Sequence, residues 1–202
     1  MAIRFSGRFE EFLHGSFYVH LYRFSVDGFD FVVIFSPVDI TDAAYSAFRS
    51  AEAGFRLPER CYDLKFDRED NFLNSTFYQV PERGMCSRRY GFVQDLAVAL
   101  QRIVILHCQQ YAAKVYFMIA ENDKLKRYYD RILQHGHDNV LSEIKAALVK
   151  GGKGMYSKRD ISEIKKMSIK ERKIAAMRQL KASFDQAGRE GKLRVRRADI
   201  LQ

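Results

Sequence analysis

Proline, cysteine and tryptophan are close to missing from this sequence. Three prolines and no tryptophan stand beside 16 phenylalanines and 11 tyrosines in 202 residues. With 47% hydrophobic residues, that composition excludes a disordered chain and leaves apolar surface for a sizeable core. The length suits one medium domain, or one domain with an appendage. The three cysteines, Cys61, Cys86 and Cys108, are odd in number and widely spaced. A disulfide framework is therefore not expected, and a reducing cytoplasm is. No apolar run is long enough to span a bilayer. The longest candidate, Phe92 to Cys108, is broken by Gln94, Asp95, Gln101 and Arg102. The opening "MAIRFSGRFEEF" lacks the basic-then-apolar pattern of a signal peptide.

Chemical motifs are equally sparse. A Ser nucleophile elbow, a P-loop and a Cys-x-x-Cys pair are all absent from the sequence. His135-Gly136-His137 is the single close histidine pair, and no cluster at ligand spacing accompanies it, so no metal is expected. His14 and His20 read as surface or strand-face residues. Cys108 reads as core, while Cys86 has Arg88 and Arg89 beside it.

What is present in excess is positive charge, and only at one end. The formal net charge is +9. Residues 151–202 hold 15 Lys and Arg against 6 Asp and Glu, which accounts for all of it; residues 1–150 are neutral. Such asymmetry points to a polyanionic partner, and a solubilising tail is the plainer alternative.

Local patterning predicts an α+β fold with a mixed or antiparallel sheet in the order ββαββαβα, followed by a basic helical unit. "FYVHLYRFSV" and "FDFVVIFSPV" flank Asp27-Gly28, a pair suited to a tight hairpin. The second run is nearly all apolar, so both its faces should be covered. A short helix is expected over 41–53, capped by Thr41 or Asp39. "RCYDLKFDRE" and "NFLNSTFYQV" read as two further β-like runs. Val93, Leu96, Ala97, Leu100, Ile103, Val104 and His107 share helical spacing and mark a central helix. "KVYFMIA" is a buried strand, and Asn122 caps the helix "DKLKRYYDRIL". Residues 138–149 read as another amphipathic helix.

Three units are therefore expected. Residues 1–149 form a neutral body, the Gly-rich 150–154 a joint, and 155–202 a basic appendage shaped like a helix-turn-helix. Ser157 or Asp160 starts one of its helices, Ser168 with Glu171 makes a capping box for the next, and "GKLRVRRADI" alternates like a short strand. Lys165, Lys166, Arg172, Lys173, Arg178, Lys181, Arg194, Arg196 and Arg197 are the candidate contacts to nucleic acid or an acidic partner. Ile174, Met177 and Phe184 alternatively offer helix-in-groove anchors to a protein.

One stretch resembles a family with a known activity. Arg88-Arg89-Tyr90-Gly91-Phe92-Val93 is similar to the Arg/Gln-x-x-Gly-x-Gly/Ala turn of the GNAT family of acetyl-CoA-dependent N-acetyltransferases. Asn122, Leu125, Tyr128 and Tyr129 resemble its later Asn-x-x-Ala-x-x-Phe/Tyr-Tyr motif. The resemblance covers about 88–133. It implies acetyl-CoA held by Arg88, Gly91 and Asn122, with Tyr129 protonating the leaving thiolate. Val93 and Leu125 depart from the family's small residues. Asp67 and Glu69, near a strand end, are the nearest candidates for a base. The outline of 16–135 is also similar to an uncharacterised family of short bacterial proteins. Phe35-Ser36-Pro37, Tyr62 to Asp67, and Arg127-Tyr128-Tyr129 carry that second likeness, and no activity is implied by it.

The expected function is a non-catalytic, cytoplasmic binding or regulatory protein, bacterial or from a mobile element, without a cofactor or a membrane partner. Its basic segment contacts DNA, RNA or an acidic protein, and homo-oligomerisation stays open. The alternatives are a divergent acetyltransferase using acetyl-CoA and a protein-protein inhibitor or antitoxin-like module.

Overall fold

The computed structural model describes residues 3–53, 56–82, 84–118, 127, 147–148 and 169–197. The strands are β1 (Ile3–His14), β2 (Phe17–Val26), β3 (Phe29–Pro37), β4 (Cys61–Arg68), β5 (Val115–Met118), β6 (Ala147–Leu148) and β7 (Arg194–Arg197). The helices are α1 (Ala43–Ala53), α2 (Glu69–Leu73), α3 (Phe92–Tyr111) and α4 (Ile169–Arg189). The strands lie side by side in the order β6-β5-β4-β3-β2-β1-β7. From β7 to β4 each pair is antiparallel; β4, β5 and β6 are parallel. This is a mixed α+β fold, as the alternation of β-branched and amphipathic runs predicts.

The β2–β3 hairpin turns on Asp27 and Gly28, with φ of 54° and 83°. Positive φ at both residues matches the turn to the right-handed twist of the strands. In β3, Phe31 to Phe35 are buried without interruption. The reason is a helix on each face. Phe31, Val33 and Phe35 join Phe9, Tyr22, Leu64, Leu100 and Ile103 in a core beneath α3. Val32 and Ile34 face the other way, into a second core with Phe12, Leu21, Phe72, Met177 and Leu180. That second core is closed by α2 and α4.

Three local expectations change, and one strand is new. Residues 3–14 form the longest strand, with a bulge between Phe5 and Phe9 where Gly7 takes a φ of 72°. The run "NFLNSTFYQV" is no strand: it contributes to α2 and then to turns, with Ser75 and Tyr78 at positive φ. Asp67 holds that turn, accepting from the Asn71 side chain at 2.9 Å and from the Tyr78 amide at 2.7 Å. Side-chain bonds of this kind compete with a strand ladder. Ala147–Leu148, expected in a helix, pair with Phe117 and Met118 as a parallel strand. The basic segment contributes one helix and one strand among the described residues, and both join the sheet: β7 pairs with β1, and α4 lies on β1. The joint at 150–154, Ser157, Asp160 and Ser168 lie outside the described residues.

Candidate functional site: an arginine-bearing sheet edge above a buried histidine pair

Among the described residues the sheet ends at β7, where Arg194, Val195, Arg196 and Arg197 are all exposed. Their partners across the ladder are Glu11, Glu10, Phe9 and Arg8. Side chains alternate along a strand. Arg194 and Arg196 accordingly share the α3 face of the sheet, while Arg197 points to the α4 face. The guanidinium of Arg194 lies 4.6 Å from the ring centre of Tyr18. Arg196 lies 5.9 Å from that of Tyr111, and its Nε donates to Glu11 Oε1 at 2.9 Å. Glu11 itself is 3% exposed. The Tyr111 hydroxyl donates to the same oxygen at 2.8 Å. Burial and the carboxylate together push the Tyr111 phenol up, so it stays a donor.

Beneath Tyr111 the polar chain continues into the core. His20 stacks on Tyr111 with ring centres 3.7 Å apart. His20 Nδ1 and His107 Nε2 are 2.8 Å apart, and His107 Nδ1 lies 2.8 Å from the Tyr116 hydroxyl. Phe35 stacks on the far face of His107 at 3.8 Å. The Tyr116 hydroxyl also reaches the carbonyl of Val104 at 3.3 Å. Two proton arrangements satisfy this chain. If Tyr116 donates to Val104, His107 donates to Tyr116 and His20 donates to His107. If Tyr116 donates to His107 instead, both imidazoles reverse. Each arrangement leaves both rings neutral. Burial drives His20 down to about 3, with the charge of Arg196 adding to it. His107, completely buried, is lowered well below its ordinary value by burial and then by His20. Tyr116 is raised by burial. The cluster can hold a fixed polar link between sheet and helix, with its rings packed against one another.

Sequence reasoning missed this cluster. His20 lies on a strand face, one of its two expected placements, but buried there rather than at the surface, and Glu11, Tyr111 and Tyr116 carried no signal of their own. His107 did carry one: an imidazole on the apolar stripe of a central helix needs a partner. His14 is half-buried, with Nδ1 2.7 Å from the Ser183 hydroxyl of α4.

The predicted contact residues fall into three groups. Arg194, Arg196 and Arg197 come together on the edge. On α4, Arg178 is exposed, whereas Lys181 is half-buried, ion-paired to Asp185 and 5.6 Å from the Phe72 ring centre. Arg172 and Lys173 lie on α4, but their side chains, like Lys165 and Lys166, are outside the described residues. Ile174, Met177 and Phe184 pack into the protein's own second core, so they are not available as anchors for a partner.

The acetyltransferase residues are only partly in view. Gly91 opens α3 with φ of 90°, and Arg88 beside it is exposed. Arg89 fills the turn: it pairs with Asp27 at 2.7 Å and with Asp95, and donates to the Tyr90 carbonyl at 3.3 Å. Asp95 places a carboxylate in the first turn of α3. The turn before α3 thus holds its own ion pairs, Arg89 with Asp27 and Asp95. Asn122, Leu125, Tyr128 and Tyr129 lie outside the described residues. Of the candidate bases, Asp67 is tied to its turn and Glu69 accepts from Arg23 at 2.5 Å. Among the described residues no group of His, Cys, Asp or Glu is placed to hold a metal ion, and no helix is long and apolar enough to cross a membrane. No family model, no curated protein and no solved structure matches this chain.

Proposed function

We propose that this is a non-catalytic binding or regulatory protein whose basic C-terminal segment engages a polyanion, either nucleic acid or an acidic protein. The observation that carries the reading is the exposure of all three β7 arginines on one strand at the margin of the sheet. The planar guanidinium fork of arginine matches phosphate and carboxylate geometry, so less freedom is lost for each hydrogen bond formed. The body contributes no net charge to compete with it.

The test is a titration of fluorescent duplex DNA, structured RNA and heparin at several salt concentrations. Deleting the segment is the wrong control, because Met177 and Leu180 would leave the second core. Arg194→Glu with Arg197→Glu reverses charge on exposed side chains instead. Binding should weaken by roughly a thousandfold between 50 and 200 mM salt if about six phosphates are neutralised. Absence of binding to every polyanion at low salt refutes the reading.

A second reading, the divergent acetyltransferase, keeps one supporting observation. The parallel β4 and β5 are joined through α3, with a left-handed glycine at the helix start. Acetyl-CoA would then raise the melting temperature, and Tyr129→Phe would abolish turnover without abolishing that rise.

A further inference from the structure

We propose that the outer edge of β7 receives an extended acidic peptide, which adds itself to the sheet as a further strand. The inference rests on the anion-binding reading above and names the partner class. In an antiparallel pair, every second residue turns its N–H and C=O away from its neighbour. Two of the four β7 residues thus present their backbone outward, and among the described residues no strand pairs with that side. An open edge of this kind is a template for strand addition.

The charges select the occupant. Arg8 and Arg197 face each other across the β1–β7 ladder, and neither has an ion pair among the described residues. Like charges opposite one another destabilise a sheet. The fold gains nothing from this pair by itself, whereas a carboxylate beside it relieves the repulsion. A second copy of the same edge would set arginine against arginine, so self-pairing is disfavoured. The arginines also project to both faces: Arg194 and Arg196 to one, Arg197 to the other. A sugar-phosphate backbone lying on one face meets only one set. A peptide strand, whose side chains alternate, meets both while its amides complete the ladder.

The probe is a fluorescein-labelled ten-residue peptide in which pairs of Asp alternate with pairs of Thr, so that an extended strand carries carboxylates on both faces, measured by anisotropy against the full-length protein. Its peptoid counterpart carries the same carboxylates on backbone nitrogens and has no N–H to donate. We expect the peptide to bind, the peptoid to bind at least about tenfold more weakly, and Arg194→Glu with Arg197→Glu to weaken the peptide by about tenfold or more. Amide hydrogen exchange in β7 should slow on binding. Equal binding of peptide and peptoid overturns strand addition, since charge alone would then suffice. Binding of a single-stranded DNA but not the peptide also overturns it, and leaves the anion-binding reading standing. Failure of every anion removes both. Should the double variant not fold, the comparison of peptide with peptoid on the unmodified protein still decides.

Discussion

Acid should weaken this fold well above the pH at which carboxylates titrate, and the buried histidine pair sets how steeply. An unfolded histidine takes up its proton near pH 6.5, while His20 is held down to about 3 and His107 well below its ordinary value. At these two rings the unfolded chain therefore binds more protons than the folded one between about pH 6.5 and their lower folded values. Their share of stability is complete above that pH and drains away as pH falls towards the folded value. One pKa unit corresponds to about 1.4 kcal/mol, so each ring that stays neutral in the fold costs roughly 2 kcal/mol between pH 7 and pH 5. The two together cost roughly 4 kcal/mol, a large part of an ordinary domain's stability. His14, lowered by burial and by Lys65, adds in the same direction. His107→Gln removes one titrating ring and keeps an amide able to bond one neighbour. At pH 7 the variant should lose about 1–3 kcal/mol from the bond left unmade. Between pH 7 and pH 5 it should lose about 2 kcal/mol less than the parent. Urea unfolding followed by circular dichroism at the two pH values gives all four numbers. The reasoning is refuted if parent and variant show the same pH dependence, because the imidazole would then titrate alike folded and unfolded.

Other consequences are simpler to read. Met177→Ala should cost about 2–5 kcal/mol in urea unfolding, because a fully buried side chain of α4 leaves a cavity against the sheet; a surface-like effect below about 0.5 kcal/mol would mean that α4 does not close the second core. Gly91→Ala should destabilise by about 1–2 kcal/mol in the same assay, from the positive φ rather than from crowding, since an added Cβ meets only the Arg89 guanidinium at an ordinary 3.5 Å. Asp67→Ala frees the Tyr78 amide and the Asn71 side chain, and should cost about 1–3 kcal/mol and speed hydrogen exchange through the 74–80 turn. Unchanged exchange there would show that the turn holds without the carboxylate.

Much of the architecture was legible in the residues, and the exceptions have physical causes. The Asp27-Gly28 hairpin, β4, α3 and β5 follow from turn chemistry and apolar period. The two-sided burial of β3 follows from a run with no polar interruption. β1 carried a signal that the sequence reading did not use: Ile3, Phe5 and Phe9 alternate with Arg4, Ser6 and Arg8, and the bulge at Gly7 blurs the period. The strand-like run after Asn71 misled because β-propensity there yields to side-chain bonds from Asp67 and Asn71. The candidate site was half visible. Three arginines in a short alternating run can be read as an exposed strand, but nothing in the sequence places that run opposite Arg8. Nor does spacing reveal that residues 20 and 107 share a hydrogen bond, since that contact exists only once the sheet has met the helix.

The last described strand lies against the first, and this has a consequence for synthesis. The ladder between β1 and β7 joins residues 8–11 to 194–197. During translation the β1–β2 hairpin can form early, yet one margin of β1 must wait until residues 194–197 have been made before it gains a neighbour. Met177 and Leu180, which complete the apolar layer on that side, emerge equally late. Such distant pairings slow folding and lengthen the time during which a hydrophobic surface and an open margin are exposed together. The interval before the arginine-rich strand has been made is therefore the one in which this sheet is most exposed to aggregation.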